Sequence, residues 1–301
     1  MSRARVAATV AAAVLVLAAV GVGTADAAAG TITTVQVVGG NAVGNRSITA
    51  TCPAGTIAVG GELTVRPATY GVHLTRVWPA GRNVTVTAEV LPDVAPAPIW
   101  AATVFARCKT TPAGVVYVNG AAEFAARTDD GRRYGKLSSA LCPNGKELIG
   151  IGGRAQGGFL DELQPLGRNA PYTNDSAPLM HGVRLLGRAL PGAVVSAIVQ
   201  ARAVCATAGT AAVSTFAFAE TLNTATAKTT TATCPAGKQV HSAGWVLFYP
   251  NHSADNAPFS FAVVTGAFGA SDFATFRLTA SRHRDTVPAE TWDLAAEFLC
   301  A

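Results

Sequence analysis

The chain has 301 residues, of which only 14 % are charged, and its net charge of +5 is scattered along the sequence. No basic block and no interleaving of aromatics with arginines is present, which excludes a nucleic-acid groove. Half of the residues are hydrophobic, yet only the N-terminal stretch is apolar over a length that approaches a bilayer.

That stretch begins Met1-Ser2-Arg3-Ala4-Arg5, runs apolar from about Val6 to Val22, and ends in Ala25-Asp26-Ala27. A basic start, an apolar middle and a small-x-small site predict a secretory signal peptide over 1–27, cut after Ala27. The mature protein is then expected to be secreted, a monomer and without a membrane span. Its charge falls to about +4 when Arg3, Arg5 and Asp26 leave with the signal.

The remainder is written three times over. Cys52-Pro53-Ala54-Gly55 returns as Cys142-Pro143-Asn144-Gly145 and as Cys234-Pro235-Ala236-Gly237, and each copy has one later cysteine: Cys108, Cys205 and Cys300. A fixed period with two cysteines per unit is the mark of a repeat architecture. Repeats over 28–112, 113–209 and 210–301 select the pairs Cys52–Cys108, Cys142–Cys205 and Cys234–Cys300. An exported chain meets an oxidising compartment in which such bonds persist. Zinc would call for close Cys-x-x-Cys pairs, and the sequence has none, so no metal and no cofactor is expected.

In the first repeat a strand is predicted near Thr33–Val38, and a second over Arg46–Thr51 that runs into Cys52. Pro-Ala-Gly then turns the chain. Thr56–Val59 leads through Gly60-Gly61 to Glu62–Val65, read as strand, turn, strand, with the glycines at a bulge or a close backbone approach. His73–Trp78 alternates, Pro79-Ala80-Gly81 turns, and Asn83–Val90 alternates polar and apolar over eight positions, the clearest strand of the chain. A proline-rich insert from Leu91 to Ile99 precedes a closing strand from Trp100 to Cys108.

The second repeat follows the same order through Val115–Val118, Leu137–Leu141 and Leu148–Gly153. A long polar loop over 157–181 comes next, then strands at Gly182–Leu186 and Val194–Cys205. The third gives Val213–Phe218, Thr229–Thr233, Val240–Trp245, Phe261–Val264, Ala274–Ala280 and Trp292–Cys300. Asp293–Leu299 has some helical propensity, but its register with the earlier closing segments favours strand.

Short strands between proline and glycine turns predict an all-β protein. Its three units are expected to pack with pseudo-threefold symmetry, β-prism-like or as three small sandwiches, with one disulfide per repeat.

The pattern Cys-Pro-x-Gly, a glycine-rich turn and a later strand ending in Cys resembles secreted actinobacterial three-repeat proteins. It covers Cys52…Gly60-Gly61…Cys108, Cys142…Gly150-x-Gly152-Gly153…Cys205 and Cys234…Gly244…Cys300. Three Cys-Pro-x-Gly units are also similar to vitelline membrane outer layer protein I, which implies a β-prism. Neither resemblance implies functional residues.

Motifs that carry chemistry are scarce. Gly150-Ile151-Gly152-Gly153-Arg154-Ala155 fits a dinucleotide fingerprint, but no helix follows it. Gly131-Arg132-Arg133-Tyr134-Gly135-Lys136 is one residue short of a phosphate loop, and no hydrolase or zincin motif occurs. The loop over 157–181 holds Asp161, Glu162, Asn169, Tyr172, Asn174, Asp175 and His181, and reads as solvated.

The densest aromatic and polar cluster lies in the third repeat: His241, Trp245, Phe248, Tyr249, His252 and Asp255. Aromatic faces beside such groups suit a stacked and hydrogen-bonded sugar. These six are the candidate ligand-binding residues, with an extracellular or cell-wall polysaccharide as partner. No catalytic residue is assigned. The function expected is a secreted, non-catalytic binding or cell-envelope-associated protein. The alternative is an extracellular carbohydrate-active hydrolase whose carboxylates converge only in the fold.

Overall fold

The computed structural model describes residues 32–66, 71–91, 96–125, 135–167, 181–189, 196–209, 215–223, 225, 227–248, 262–268, 274–282 and 292–300. The protein is all-β, and no helix occurs among the described residues. The first repeat supplies β1 (Ile32–Val43), β2 (Arg46–Thr51), β3 (Thr56–Arg66), β4 (Val72–Ala80), β5 (Asn83–Val90) and β6 (Ile99–Thr110). The second supplies β7 (Val116–Asn119), β8 (Glu123–Ala125), β9 (Gly135–Leu141), β10 (Lys146–Gln156), β11 (Gly158–Leu166), β12 (Gly182–Ala189) and β13 (Ala197–Thr207). The third supplies β14 (Thr215–Asn223), β15 (Ala227–Thr233), β16 (Val240–Phe248), β17 (Ala262–Phe268), β18 (Thr275–Arg282) and β19 (Trp292–Cys300).

Pairing recurs in one order. The triplets β1-β6-β3, β7-β13-β10 and β14-β19-β16 each place the closing strand in the middle. The triplets β2-β5-β4, β9-β12-β11 and β15-β18-β17 form the other half of each group. Halves then join across repeats: β4 pairs β10, and β11 pairs β16. A sheet shared between neighbouring repeats is thus the unit of the fold, because each half would otherwise leave an unpaired edge. Separate sandwiches on a string would leave those edges open.

The Cys-Pro-x-Gly motif builds the same turn each time. The amide three residues after the proline donates to the proline carbonyl: Thr56 to Pro53 at 3.3 Å, Lys146 to Pro143 at 3.0 Å and Lys238 to Pro235 at 3.0 Å. Gly55, Gly145 and Gly237 have φ of 78°, 77° and 78°, which a side chain disfavours. The disulfides Cys52–Cys108, Cys142–Cys205 and Cys234–Cys300 are all formed, as the repeat selected them. Cys52, Cys108, Cys205, Cys234 and Cys300 are buried in one continuous core with Trp100, Leu163, Leu185 and Trp292, and the partly buried Cys142 packs against it.

The glycine-rich segments correct one expectation. Gly60-Gly61 and its counterparts do not turn the chain; β3, β10 and β16 run straight through them. The bulge half of the reading holds. Register shifts fall between Ala58 and Gly60, Leu148 and Gly150, and Val240 and Ser242. Side chains are absent there because backbone comes close: a Cβ on Gly150 would lie 2.0 Å from the Val59 carbonyl oxygen. Ser242 fills the third position, approaching Gly60 and accepting from the Ile151 amide at 3.2 Å.

A second correction concerns the polar loop over 157–181. Residues 158–166 are β11, turned back from β10 at Gly157, and β11 is almost wholly buried. Asp161 and Glu162 are therefore interior groups, not solvated ones. Residues 168–180 lie outside the described residues. The closing segment 292–300 is strand, as its register required.

Candidate functional site

The candidate residues of the third repeat do not gather on an exposed face. His241 is 1 % exposed and Trp245 4 %. Phe248 is the last residue of β16. Tyr249, His252 and Asp255 lie outside the described residues. His241 is the bulge residue of β16, in the place that Val59 and Ile149 fill in the other repeats. Burial, with Lys109 and Arg107 nearby, holds its imidazole well below the usual range, so it is neutral. Neither His241 nor Trp245 offers a platform to a ligand.

Three interior carboxylates, Glu62, Asp161 and Glu162, are tied to arginines. Glu62 meets Arg107 at 3.6 Å, Arg188 donates to Asp161 at 2.6 Å, and Arg184 lies 2.7 Å from Glu162. The bulge in β11 sets Asp161 outside the ladder, so two neighbours in sequence reach two different arginines of β12. Glu297 of β19 converges on this group, accepting from the Gln164 amide at 3.5 Å. Burial and the charge of Glu162 push the Glu297 carboxyl up to about 8, and burial pushes Glu162 to about 7. Among the described residues no group of three or more His, Cys, Asp or Glu side chains is placed to hold a metal ion.

A different face is open. On the sheet β2-β5-β4-β10-β13-β7 the outward side chains start with a ladder of hydroxyls. Ser47 meets Thr87 at 3.1 Å, Thr49 meets Thr85 at 3.0 Å, and Thr51 donates to Asn83 at 2.8 Å. Thr85 pairs with Trp78 of β4, and Thr87 with Arg76. Trp78 is partly exposed and carries three guanidiniums around its ring: Arg202 at 4.5 Å, Arg154 at 5.2 Å and Arg76 at 5.4 Å from the centroid. Arg202 also lies 5.0 Å from the Tyr117 ring.

The neighbouring backbone makes this meeting possible. Gly152 pairs with Arg202, and a Cβ on Gly152 would fall 2.5 Å from the Val77 carbonyl and from Pro79. Strand β4 can reach β10 at this point only because Gly152 has no side chain.

Sequence reasoning missed this cluster because Arg76, Trp78, Arg154 and Arg202 span more than a hundred residues and three strands. One signal was present. Arg154 stands twelve residues after Cys142, where the other repeats have Thr64 and Val246. Arg202 stands three before Cys205, where they have Phe105 and Glu297. Positions at which one repeat departs from its siblings are those the scaffold does not dictate.

Among the described residues no helix is long and apolar enough to cross a membrane. No protein-family model matches the chain, and no curated protein matches it.

Proposed function

We propose that this is a secreted, non-catalytic binding protein of the cell envelope that holds an extracellular polysaccharide on the outer face of the sheet β2-β5-β4-β10-β13-β7. The observation that carries the reading is Trp78, a partly exposed indole set between a ladder of hydroxyl pairs and three guanidiniums. An aromatic ring stacks the apolar face of a sugar while hydroxyls and guanidiniums bond its rim. Three disulfides support an extracellular setting for it. The meeting of Ser242 with Gly60 and Ile151 supports pseudo-threefold packing of the repeats around a common axis. The test is retention of the mature, oxidised protein on insoluble polysaccharides (peptidoglycan, chitin, cellulose, cross-linked pectate). Retention on at least one of them, lost in Trp78→Ala and kept in Trp245→Phe, is expected. Retention unchanged in Trp78→Ala overturns the assignment of the face.

The convergence of Glu162 and Glu297 favours, as a second reading, a carbohydrate-active hydrolase. Their burial, 5 % and 1 % exposed, speaks for the first. Release of reducing ends from a polysaccharide by the native chain, abolished in Glu297→Gln, would carry the second.

A further inference from the structure

We propose that the polysaccharide held at Trp78 is acidic, with carboxylates on its sugar rings that are bound by Arg76, Arg154 and Arg202. The inference rests on the binding reading above and names its ligand class. Three arginines around one indole make a local concentration of positive charge on a chain with few charges. No carboxylate answers it: none of the three arginines makes an ion pair among the described residues, and Arg202 donates only to the neutral Asn119 amide at 3.1 Å. The Nε of each is buried without an acceptor. With Nε covered on these partly exposed side chains, the Nη ends of Arg76 and Arg154 and the Nη2 of Arg202 are left to meet a ligand. A guanidinium laid against an aromatic ring keeps its in-plane donors free, and that fork matches a carboxylate bidentately.

The scaffold does not demand this arrangement, and like charges meet in it. Arg76 and Arg154 are directly opposed in the β4–β10 pairing, where like charges destabilise. Burial and the neighbouring guanidiniums lower both Arg76 and Arg202 from the usual arginine range. The next junction, β11 with β16, shows what else the same positions accept. Leu163 pairs Trp245 there as Val77 pairs Gly153 here. Glu162, Gln164 and Val246 therefore take the places of Arg76, Trp78 and Arg154, and Glu297 that of Arg202. One geometry carries a cationic aromatic set at the first junction and an acidic amide set at the second. Cations kept together against their own repulsion are matched by an anion from outside the chain.

The surroundings of the cluster favour a sugar acid over a nucleic acid. A nucleic-acid track needs cations along its length. Here β5 carries no cation, and Arg46 of β2 is turned to the Gly40 carbonyl and the Trp100 ring. Hydroxyl pairs, which suit a sugar rim, run along that side instead.

Affinity electrophoresis of the mature, oxidised chain tests the inference, with polygalacturonate, fully methyl-esterified pectin, single-stranded DNA and polyphosphate each in the gel. Retardation by polygalacturonate alone is expected. It should weaken about tenfold or more in Arg154→Gln and again in Arg202→Gln, since each removes a charge-assisted hydrogen bond. Added salt should weaken it further. Circular dichroism of both variants checks that the fold is kept, and if either unfolds, the salt dependence and the ester arm decide alone. Equal retardation by methyl-esterified pectin overturns the acidic inference and leaves the binding reading standing. Equal retardation by DNA or polyphosphate overturns the commitment to a sugar acid. No retardation by polygalacturonate overturns the acidic inference. If the insoluble polysaccharides also fail to retain the chain, the binding reading falls with it.

Discussion

Arg76 and Arg154 stand opposite each other across the seam where the first repeat hands its sheet to the second. Each lies against the same indole, Arg154 at 5.2 Å and Arg76 at 5.4 Å from its centroid. Cation–π attraction of about 0.5–1 kcal/mol at an exposed site offsets a like-charge penalty of similar size. The seam is therefore close to neutral in energy, but its charge term is long-ranged and responds to salt.

Salt should accordingly stabilise this protein. Raising ionic strength from about 0.01 M to about 1 M shortens the Debye length from about 30 Å to about 3 Å and screens the Arg76–Arg154–Arg202 repulsion. The urea midpoint is expected to rise, and to rise less in Arg154→Gln. An equal rise in both proteins would mean that the repulsion lies elsewhere.

The pH dependence follows from the buried carboxyls. Glu62 and Glu162 are pushed up to about 7 and Glu297 to about 8, in each case chiefly by burial. A carboxyl raised in the folded state favours folding when protonated. Its contribution is complete below the unfolded value near 4.5 and is lost as pH climbs through 7 and 8. His73, lowered to about 4 by burial, works the other way: its contribution is complete above about 6.5 and is lost as pH falls toward 4. The thermal midpoint should therefore rise on acidification from pH 8.5 to about pH 4.5, and less steeply below about pH 6.5, where His73 opposes the three carboxyls. Glu297→Gln should flatten the upper limb and be more stable than the native chain at pH 8.5. A midpoint that rises steadily from pH 6 to pH 8.5 would contradict the burial of these groups.

Much of this was legible in the sequence. The alternation of Asn83–Val90 returned as β5 over the same residues, because polar and apolar side chains there face water and core in turn. The cysteine pairs followed from the repeat alone. The glycine segments were half legible: composition showed that a Cβ was unwelcome, but a turn and a bulged strand both want glycine. The stretch 158–166 was misread because Asp161, Glu162 and Gln164 look like solvent-facing residues, and their partners lie far along the chain. Arg184 and Arg188 are more than twenty residues on, and Glu297 belongs to the next repeat. The Trp78 cluster was invisible for the same reason. Trp100 and Trp292 both stand eight residues before their closing cysteines. Their indoles donate to Gly44 and Ala225 at 3.1 and 2.7 Å.

Where repeats press backbone on backbone, one methyl group should matter more than any surface change. Gly150→Ala would set a Cβ 2.0 Å from the Val59 carbonyl, and main chain cannot swing aside as a side chain can. A cost of about 1–3 kcal/mol or more is expected from such overpacking. Gly40→Ala meets nothing within 4 Å and should change stability by less than about 0.5 kcal/mol. Thermal unfolding of the two variants in parallel reads the difference. Equal midpoints would show that the bulge at Gly150 opens freely.

The disulfides span 56, 63 and 66 residues in sequence. Loop-closure entropy grows only logarithmically with length, so these separations differ by no more than about 0.2 kcal/mol in the chain-entropy model. Replacing one pair by alanines should cost roughly 2–5 kcal/mol, and nearly the same for each pair. Because β4 pairs β10 and β11 pairs β16, no repeat can unfold without baring the edge of its neighbour. Each double variant, such as Cys142→Ala with Cys205→Ala, should therefore show one calorimetric transition at a lower temperature. A second transition left at the native midpoint would mean that the repeats unfold independently. The shared sheets would then contribute little to stability, and a ligand held across the first junction would have to tie two loosely coupled units together.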